Sequence, residues 1–430
     1  MNNITISEYG YIGCDNIATI NNKFISHRSL TKDEFKELYN FWLSDKIAQK
    51  VFCFENKYCL KAQNYVGIIQ TKSLSIEILP KIYQEKQEDT SRDIFISILK
   101  VTLGLNSLKS NKANLSITKN KNIFEGFISL FVNSIDTLLK KGLKSSYIAQ
   151  EDNQTFLKGK LKFNEHIKRN YIHKERFYVE FDEYLPNIVE NKLLKSTIQL
   201  LLKKTKDYEN KKAFRQQLFI FDDVDISINY ENDISKINLY RGMEYYKLPL
   251  KFAQVFLKDK SFSSLRGKED VYALLFPMEK VFENYVEFLL KNSKIKLGIK
   301  NIFVNGGKNE YLLSESQGRL QPDYLLQMED NSYIVTDAKW KLYDDNKKLN
   351  PNDIYQIFAY LNFYDPKKIA YLFVPKITEY IEKDDKIYYY KTINQNLEYK
   401  IQIVAIDLVK VINDNHRLNP NIFKEIDAKV

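Results

Sequence analysis

The chain has 430 residues, 44% of them hydrophobic and 28% charged, with 13 glycines and 9 prolines. That balance excludes a disordered or collagen-like chain and leaves room for two or three domains with cores of their own. Three cysteines (Cys14, Cys53, Cys59) and four histidines, none at zinc-ligand spacing, exclude a disulfide scaffold and a structural zinc site and fit a reducing cytoplasm. The formal net charge of +10 has two readings. Clustered Lys and Arg neutralise phosphates, as in a nucleic-acid partner, and a chain heavy in Lys, Asn, Ile and Tyr is also what an AT-rich genome encodes.

Residues 1–88 read as a β-rich module around one helix. The N-terminus "MNNITISEYGYIG" has neither the basic nor the apolar region of a signal peptide. "TKDEFKELYNFWL" (31–43) is expected to be helical, with Thr31 as N-cap and Glu34 completing a capping box. Residues 50–82 then alternate as strands, the last ended by Pro80.

Residues 89–265 read as mostly helical and as a DNA-binding middle region. Three- and four-residue apolar spacing predicts helices over 91–105, 123–143 and 186–208, with Pro186 in the first turn of the last. Between them, "FLKGKLKFNEHIKRNYIHKERF" (156–177) carries seven Lys or Arg and two Glu interleaved with aromatics. Lys158, Lys160, Lys162, Lys168 and Arg169 would track a DNA backbone, with aromatics for stacking. A solvated strand pair or helix face accounts for the same pattern. His166 and His173 read as surface or backbone-contacting residues.

From 266 to 430 the pattern turns to α/β. A helix is expected over 268–293, broken or kinked at Pro277. Strands are expected near 299–304, 310–315, 319–328 and 332–340, followed by a helix over 351–364 and strands over 368–375 and 399–408. No apolar run reaches the roughly 18 residues of a membrane span.

The second half of that pattern holds "QPDYLLQ" and "YIVTDAKWK". A strand points residues i and i+2 to one face, so Asp337 and Lys339 share a face with the apolar Val335. Asp323 opens the preceding strand. If the two strands are neighbours, both carboxylates converge beside one cation. Hard oxygen ligands suit Mg²⁺, with Mn²⁺ as a substitute, and Lys339 would stabilise charge on a phosphoryl group. Glu283 on the upstream helix would add a metal ligand. Gln356 and Tyr360, four apart on the downstream helix, would brace the site or touch DNA. A turn residue, a surface ion pair and ordinary helix packing are the plain alternatives.

The order helix-Glu, strand, Pro-Asp, strand, Asp-Ala-Lys, helix-Gln-x-x-x-Tyr resembles the core of the PD-(D/E)XK nucleases, a mixed sheet flanked by helices. "VGIIQTKSLSIEILPKI" (66–82), "VENKLLKSTIQLLL" (189–202), "FPMEKVFENYVEFLL" (276–290) and "TDAKWK" (336–341) together resemble the McrC family over about residues 60 to 375. The resemblance implies an α+β multi-domain chain with a motor-contacting N-terminal module and a C-terminal Mg²⁺-dependent endonuclease domain. It implies a cytoplasmic restriction system that cuts methylated double-stranded DNA, and a hexameric McrB-like AAA+ GTPase as partner. Asp323, Asp337 and Lys339 match the nuclease motif. No G-x-x-x-x-G-K-[ST] occurs in the sequence, so nucleotide hydrolysis is expected of the partner and not of this chain. A nuclease serving a different motor, and a non-catalytic activator of the motor, remain as alternatives.

Overall fold

The computed structural model describes residues 2–14, 27–44, 46, 48–82, 88–104, 122–258, 272–306, 311–313, 317–341, 349–364, 369–376, 385–391 and 398–423. The fold is mixed α+β. The chain divides into two compact units: Met1–Asn106 with Gly267–Val430, and Ser107–Arg266.

The first unit begins with β1 (Asn2–Ser7), β2 (Tyr11–Gly13), β3 (His27–Ser29), β4 (Phe52–Asn56), β5 (Cys59–Ala62), β6 (Tyr65–Gln70) and β7 (Leu74–Leu79). The helix Lys32–Ser44 starts with the expected capping box. The Thr31 hydroxyl accepts the Glu34 N–H at 3.3 Å, and the Glu34 carboxylate accepts the Thr31 N–H at 2.9 Å. Strands β3-β2-β5-β4 form one sheet. A second sheet has the order β1-β7-β6-β11, β1 parallel to β7 and the other neighbours antiparallel. Buried on almost every residue, β6 and β7 form its core.

The second unit is built on the helices Ile123–Leu139, Val189–Lys204, Tyr208–Ile220 and Lys247–Lys258. Phe127 and Phe131 of the first pack edge-on or tilted against Phe252 and Phe256 of the last. Pro186 lies outside its helix, whose N-cap is Ile188. Beside the helices of this mostly helical region lies an antiparallel sheet of order β8-β10-β9, made of β8 (Ser146–Gln154), β9 (Lys160–Leu161) and β10 (Phe177–Leu185).

The chain re-enters the first unit through β11 (Tyr272–Pro277), which pairs with β6, and not through a helix over 268–293. The helix begins only at Met278, with Pro277 as its N-cap. Gly67 permits the pairing. Its φ is +146°, and a Cβ there would stand 1.9 Å from the Leu274 carbonyl oxygen. Through β11, the chain after residue 266 completes the N-terminal sheet. The described structure therefore has one discontinuous unit where the sequence suggests separate domains at 1–88 and 266–430.

The remaining strands are β12 (Ile299–Val304), β13 (Tyr311–Leu313), β14 (Gln317–Arg319), β15 (Tyr324–Met328), β16 (Tyr333–Ala338), β17 (Ile369–Pro375), β18 (Asp385–Lys391) and β19 (Glu398–Ile406). Six of them form a mixed sheet of order β12-β15-β16-β17-β19-β18, in which β16, β17 and β19 run parallel. Val335, Ile357, Leu361, Leu372 and Ile403 belong to the core between one face of this sheet and the helix Pro351–Tyr364. On the β16 side of the other face, Phe282 of the helix Met278–Ser293 packs on Trp340, ring centroids 5.3 Å apart. No helix among the described residues is long and apolar enough to cross a membrane.

Candidate active site

The site is built where β15 begins and β16 ends. These strands are antiparallel, with Tyr324 opposite Thr336 and Leu325 opposite Val335. Continued by one residue, that register sets Asp323 opposite Asp337. The Oδ2 of Asp323 accepts the backbone N–H of Ala338 at 2.8 Å, which ties the first acid to the strand that carries the second. Both acids fall on the Val335 face, toward the helix Pro351–Tyr364.

Asp337 is 1% exposed. Its Oδ2 lies 2.6 Å from Nζ of Lys339, an ion pair, yet neither carboxylate oxygen receives a hydrogen bond of regular geometry among the described residues. Buried polar atoms are otherwise almost always satisfied. Burial pushes the Asp337 carboxyl above its ordinary range, against the pull of the Lys339 cation. Burial, then the charge of Asp337, raises Asp323 to about 7. Burial works against the Lys339 ammonium, but Asp337 and Asp323 outweigh it and hold Lys339 above its usual value. The site is therefore a buried and a half-buried acid facing each other, with one cation paired to the buried one. Two facing carboxylates, one of them with no hydrogen bond of regular geometry among the described residues, fit a hard divalent cation.

The expected supporting residues divide. Gln356 Nε2 donates to the Tyr360 hydroxyl at 2.8 Å, and that hydroxyl donates to the Gln321 carbonyl at 2.9 Å. The pair thus braces the turn that presents Asp323. Glu283 stands on the helix across the opposite sheet face, its carboxylate 2.7 Å from Lys280 Nζ. The Tyr324 hydroxyl donates to the Glu283 carbonyl. Among the described residues, no three acidic, His or Cys side chains stand at metal-ligating spacing, so Asp323 and Asp337 are the pair that the fold brings together.

Sequence reading missed Asp353. It lies 6% exposed on the first turn of the Pro351–Tyr364 helix. Its two oxygens accept from Lys341 Nζ at 2.8 and 2.7 Å, and its charge bears on both Asp337 and Lys339. In sequence it looks like an ordinary acid at a helix start. Its spacing of three to Gln356 and seven to Tyr360 is the signal that places it on the site face.

The basic strip lies in the second unit. Lys162 pairs with Glu151 and stands 3.8 Å from Glu180. Lys168 and Arg169 both pair with Glu165, at 3.5 and 3.1 Å. Lys158 lies over the Phe181 ring at 4.0 Å, and Lys160 is exposed. Phe156, Phe163 and Tyr171 stand in solvent. His166 accepts the Tyr178 backbone N–H at 3.3 Å, and His173 sits beside Glu175.

A family model described as the McrBC 5-methylcytosine restriction system component matches residues 60–375. The chain belongs to this McrBC family. The matched span holds Asp323, Asp337, Lys339, Gln356 and Tyr360. The McrBC fold is also found among solved structures. The chain superposes with a TM-score of 0.67 and 19% identity on a chain from a refined half-complex of Thermococcus gammatolerans McrB AAA+ hexamers with bound McrC, covering 94% of each. A second match, to the cryo-EM structure of the Thermococcus gammatolerans McrBC complex, has a TM-score of 0.48 and 20% identity over 67% of this chain and 87% of that one. Comparison with curated proteins finds no match.

Proposed function

We propose that this chain is the McrC-type, DNA-cutting subunit of a modification-dependent restriction system, a Mg²⁺-dependent endodeoxyribonuclease of PD-(D/E)XK type. The observation that carries this reading is the buried Asp337 carboxylate without regular hydrogen bonds, set opposite Asp323 and beside Lys339. A site that buries the Asp337 carboxylate so poorly satisfied costs stability, which a purely structural ion pair does not require.

Asp323 and Asp337 would hold the metal, with Mn²⁺ as a substitute for Mg²⁺. When bound, such an ion lowers the pKa of a water and neutralises charge at a phosphate. The rest falls to the chain's own groups. The Ala338 N–H orients the Asp323 carboxylate. Lys339 stays charged at neutral pH and offers its ammonium to a phosphate oxygen as negative charge builds. Tyr360 and Gln356 keep the Gln321–Asp323 turn from shifting. Glu283 fits an outer position, reaching Asp323 through its charge.

The partner in this reading is a McrB-like AAA+ GTPase hexamer, as in the Thermococcus gammatolerans assembly. The substrate is methylated double-stranded DNA, in keeping with the description of the family. Lys158 and Lys160, which no acid holds within ion-pair distance among the described residues, are among the cations of the strip placed to meet its backbone. The test is cleavage of methylated and unmethylated DNA by the chain with and without a McrB-like GTPase, with Mg²⁺ and GTP varied. Cutting that needs Mg²⁺, methylation and the GTPase supports the reading, and no cutting under any combination refutes it.

A further inference from the structure

Trp340 follows Lys339 and is 3% exposed. Its indole N–H and its carbonyl are both held by residues just past strands of the N-terminal sheet. The indole N–H donates to both oxygens of Glu8, at 2.9 and 3.1 Å. The Trp340 carbonyl accepts from Nζ of Lys81 at 3.1 Å. Glu8 follows the end of β1 and Lys81 lies just past β7, and these two strands are parallel neighbours. The backbone N–H of Lys81 donates to Glu8 Oε2 at 3.0 Å, so the two holding residues also hold each other. The Lys81 ammonium lies over the rings of Tyr9 and Trp340, at 4.7 and 5.9 Å. Phe282 closes the indole from the side.

This is a costly way to seat a tryptophan. Glu8 is 2% exposed, and taking a carboxylate out of water costs more than an apolar socket of the same shape. A fold that needed only packing would not require it. What these two polar groups add is direction. It fixes both the rotation of the indole and the height of the Trp340 carbonyl, and the Lys339 N–H is fixed from the other side by the Phe373 carbonyl at 2.9 Å. Between those two anchors the Lys339 Cα has little freedom, and its ammonium must meet Asp337.

We propose that Glu8 and Lys81 are positioning residues for Lys339, acting through Trp340, so that the N-terminal sheet sets the geometry of the catalytic cation. The proposal rests on the nuclease reading above. Any displacement of the β1–β7 end of the sheet moves the residue that follows Lys339, which makes this sheet a lever on the cutting step. The metal pair is spared, because Asp323 and Asp337 are tied to each other through the Ala338 N–H and not through Trp340.

The experiment is single-turnover cleavage by the full chain with its GTPase partner, comparing Glu8→Gln, Trp340→Phe and Lys81→Met with the wild type. Each variant is expected to lose roughly tenfold to a hundredfold in rate with DNA affinity unchanged, since a misplacement of about 1 Å costs on that order. Lys81→Arg, which keeps a cationic donor, is expected to recover most of the rate. In a Lys339→Ala background, Trp340→Phe is expected to lower the residual rate no further, whereas a merely structural role would lower it again. Hydrogen exchange of peptides covering 333–341 gives a readout without catalysis, with faster exchange expected in Glu8→Gln. Wild-type rates and wild-type exchange in Glu8→Gln and Trp340→Phe, alongside a dead Asp337→Ala control, would overturn the clamp and leave the nuclease reading standing. A wild type that does not cut, or an Asp337→Ala that does, would overturn both.

Discussion

Asp323 comes opposite Asp337 across the β15–β16 pair, its Oδ2 bound to the N–H of Ala338, the residue after Asp337. Like charges directly across a strand pair destabilise a sheet. Here Lys339 offsets one of them at 2.6 Å. A divalent cation would offset both, which fits two acids kept face to face.

Lys339→Ala is expected to reduce cleavage by at least about a hundredfold, in line with the loss of a group that stabilises transition-state charge. Metal affinity should persist, because Asp323 and Asp337 are intact. Calorimetric titration with Mn²⁺ alongside the cleavage assay checks both halves. Loss of metal binding in this variant would move Lys339 from catalysis to assembly of the site.

Tyr360→Phe removes the hydroxyl that links Gln356 to the Gln321 carbonyl. The expected stability loss is about 1–2 kcal/mol, the usual cost of a broken buried hydrogen bond. Cleavage should slow by roughly tenfold as the Asp323 turn loosens. Thermal melts and single-turnover rates measure the two effects separately.

The fold and the site were unequally legible in the sequence. Thr31 and Glu34 announced their helix because a capping box is local, and both of its bonds are made. The Pro351–Tyr364 helix was legible from its opening proline. "YALLFP" was not legible, because a short apolar run has no period that separates strand from helix. It became β11 through Gly67, two hundred residues earlier in the chain. Polar strands such as β8, mostly exposed along its length, carry no alternation to detect. Asp323, Asp337 and Lys339 stood out because charge inside an apolar strand pattern is costly. Asp353 and Glu8 did not, because their meaning comes from partners distant in sequence, Glu8 from a tryptophan 332 residues away.

Gly67→Ala is expected to cost roughly 3 kcal/mol or more, since it adds a carbon against the Leu274 carbonyl and a side chain at positive φ. The β6–β11 pairing would open first. A fall in Tm of less than a few degrees would show that the sheet can shift to admit the methyl group.

Burial holds His416 below its ordinary imidazole value, and its Nδ1 lies 2.9 Å from the Tyr285 hydroxyl. The unfolded chain therefore binds a proton before the folded one does. The stability that this neutral imidazole contributes is present above the unfolded pKa and is lost as pH falls through the folded value. His416→Asn, which tolerates the positive φ of this position, is expected to flatten the fall in Tm below pH 6.5, relative to the wild type. Parallel melting curves for the two proteins would contradict this.

The most direct measurement is cleavage of methylated DNA by Asp337→Ala in the presence of the proposed McrB-like GTPase. Cutting should vanish while partner binding and the partner's GTP hydrolysis stay at wild-type levels. Cleavage at the wild-type rate would contradict the assignment of the Asp323–Asp337 pair as the nuclease centre.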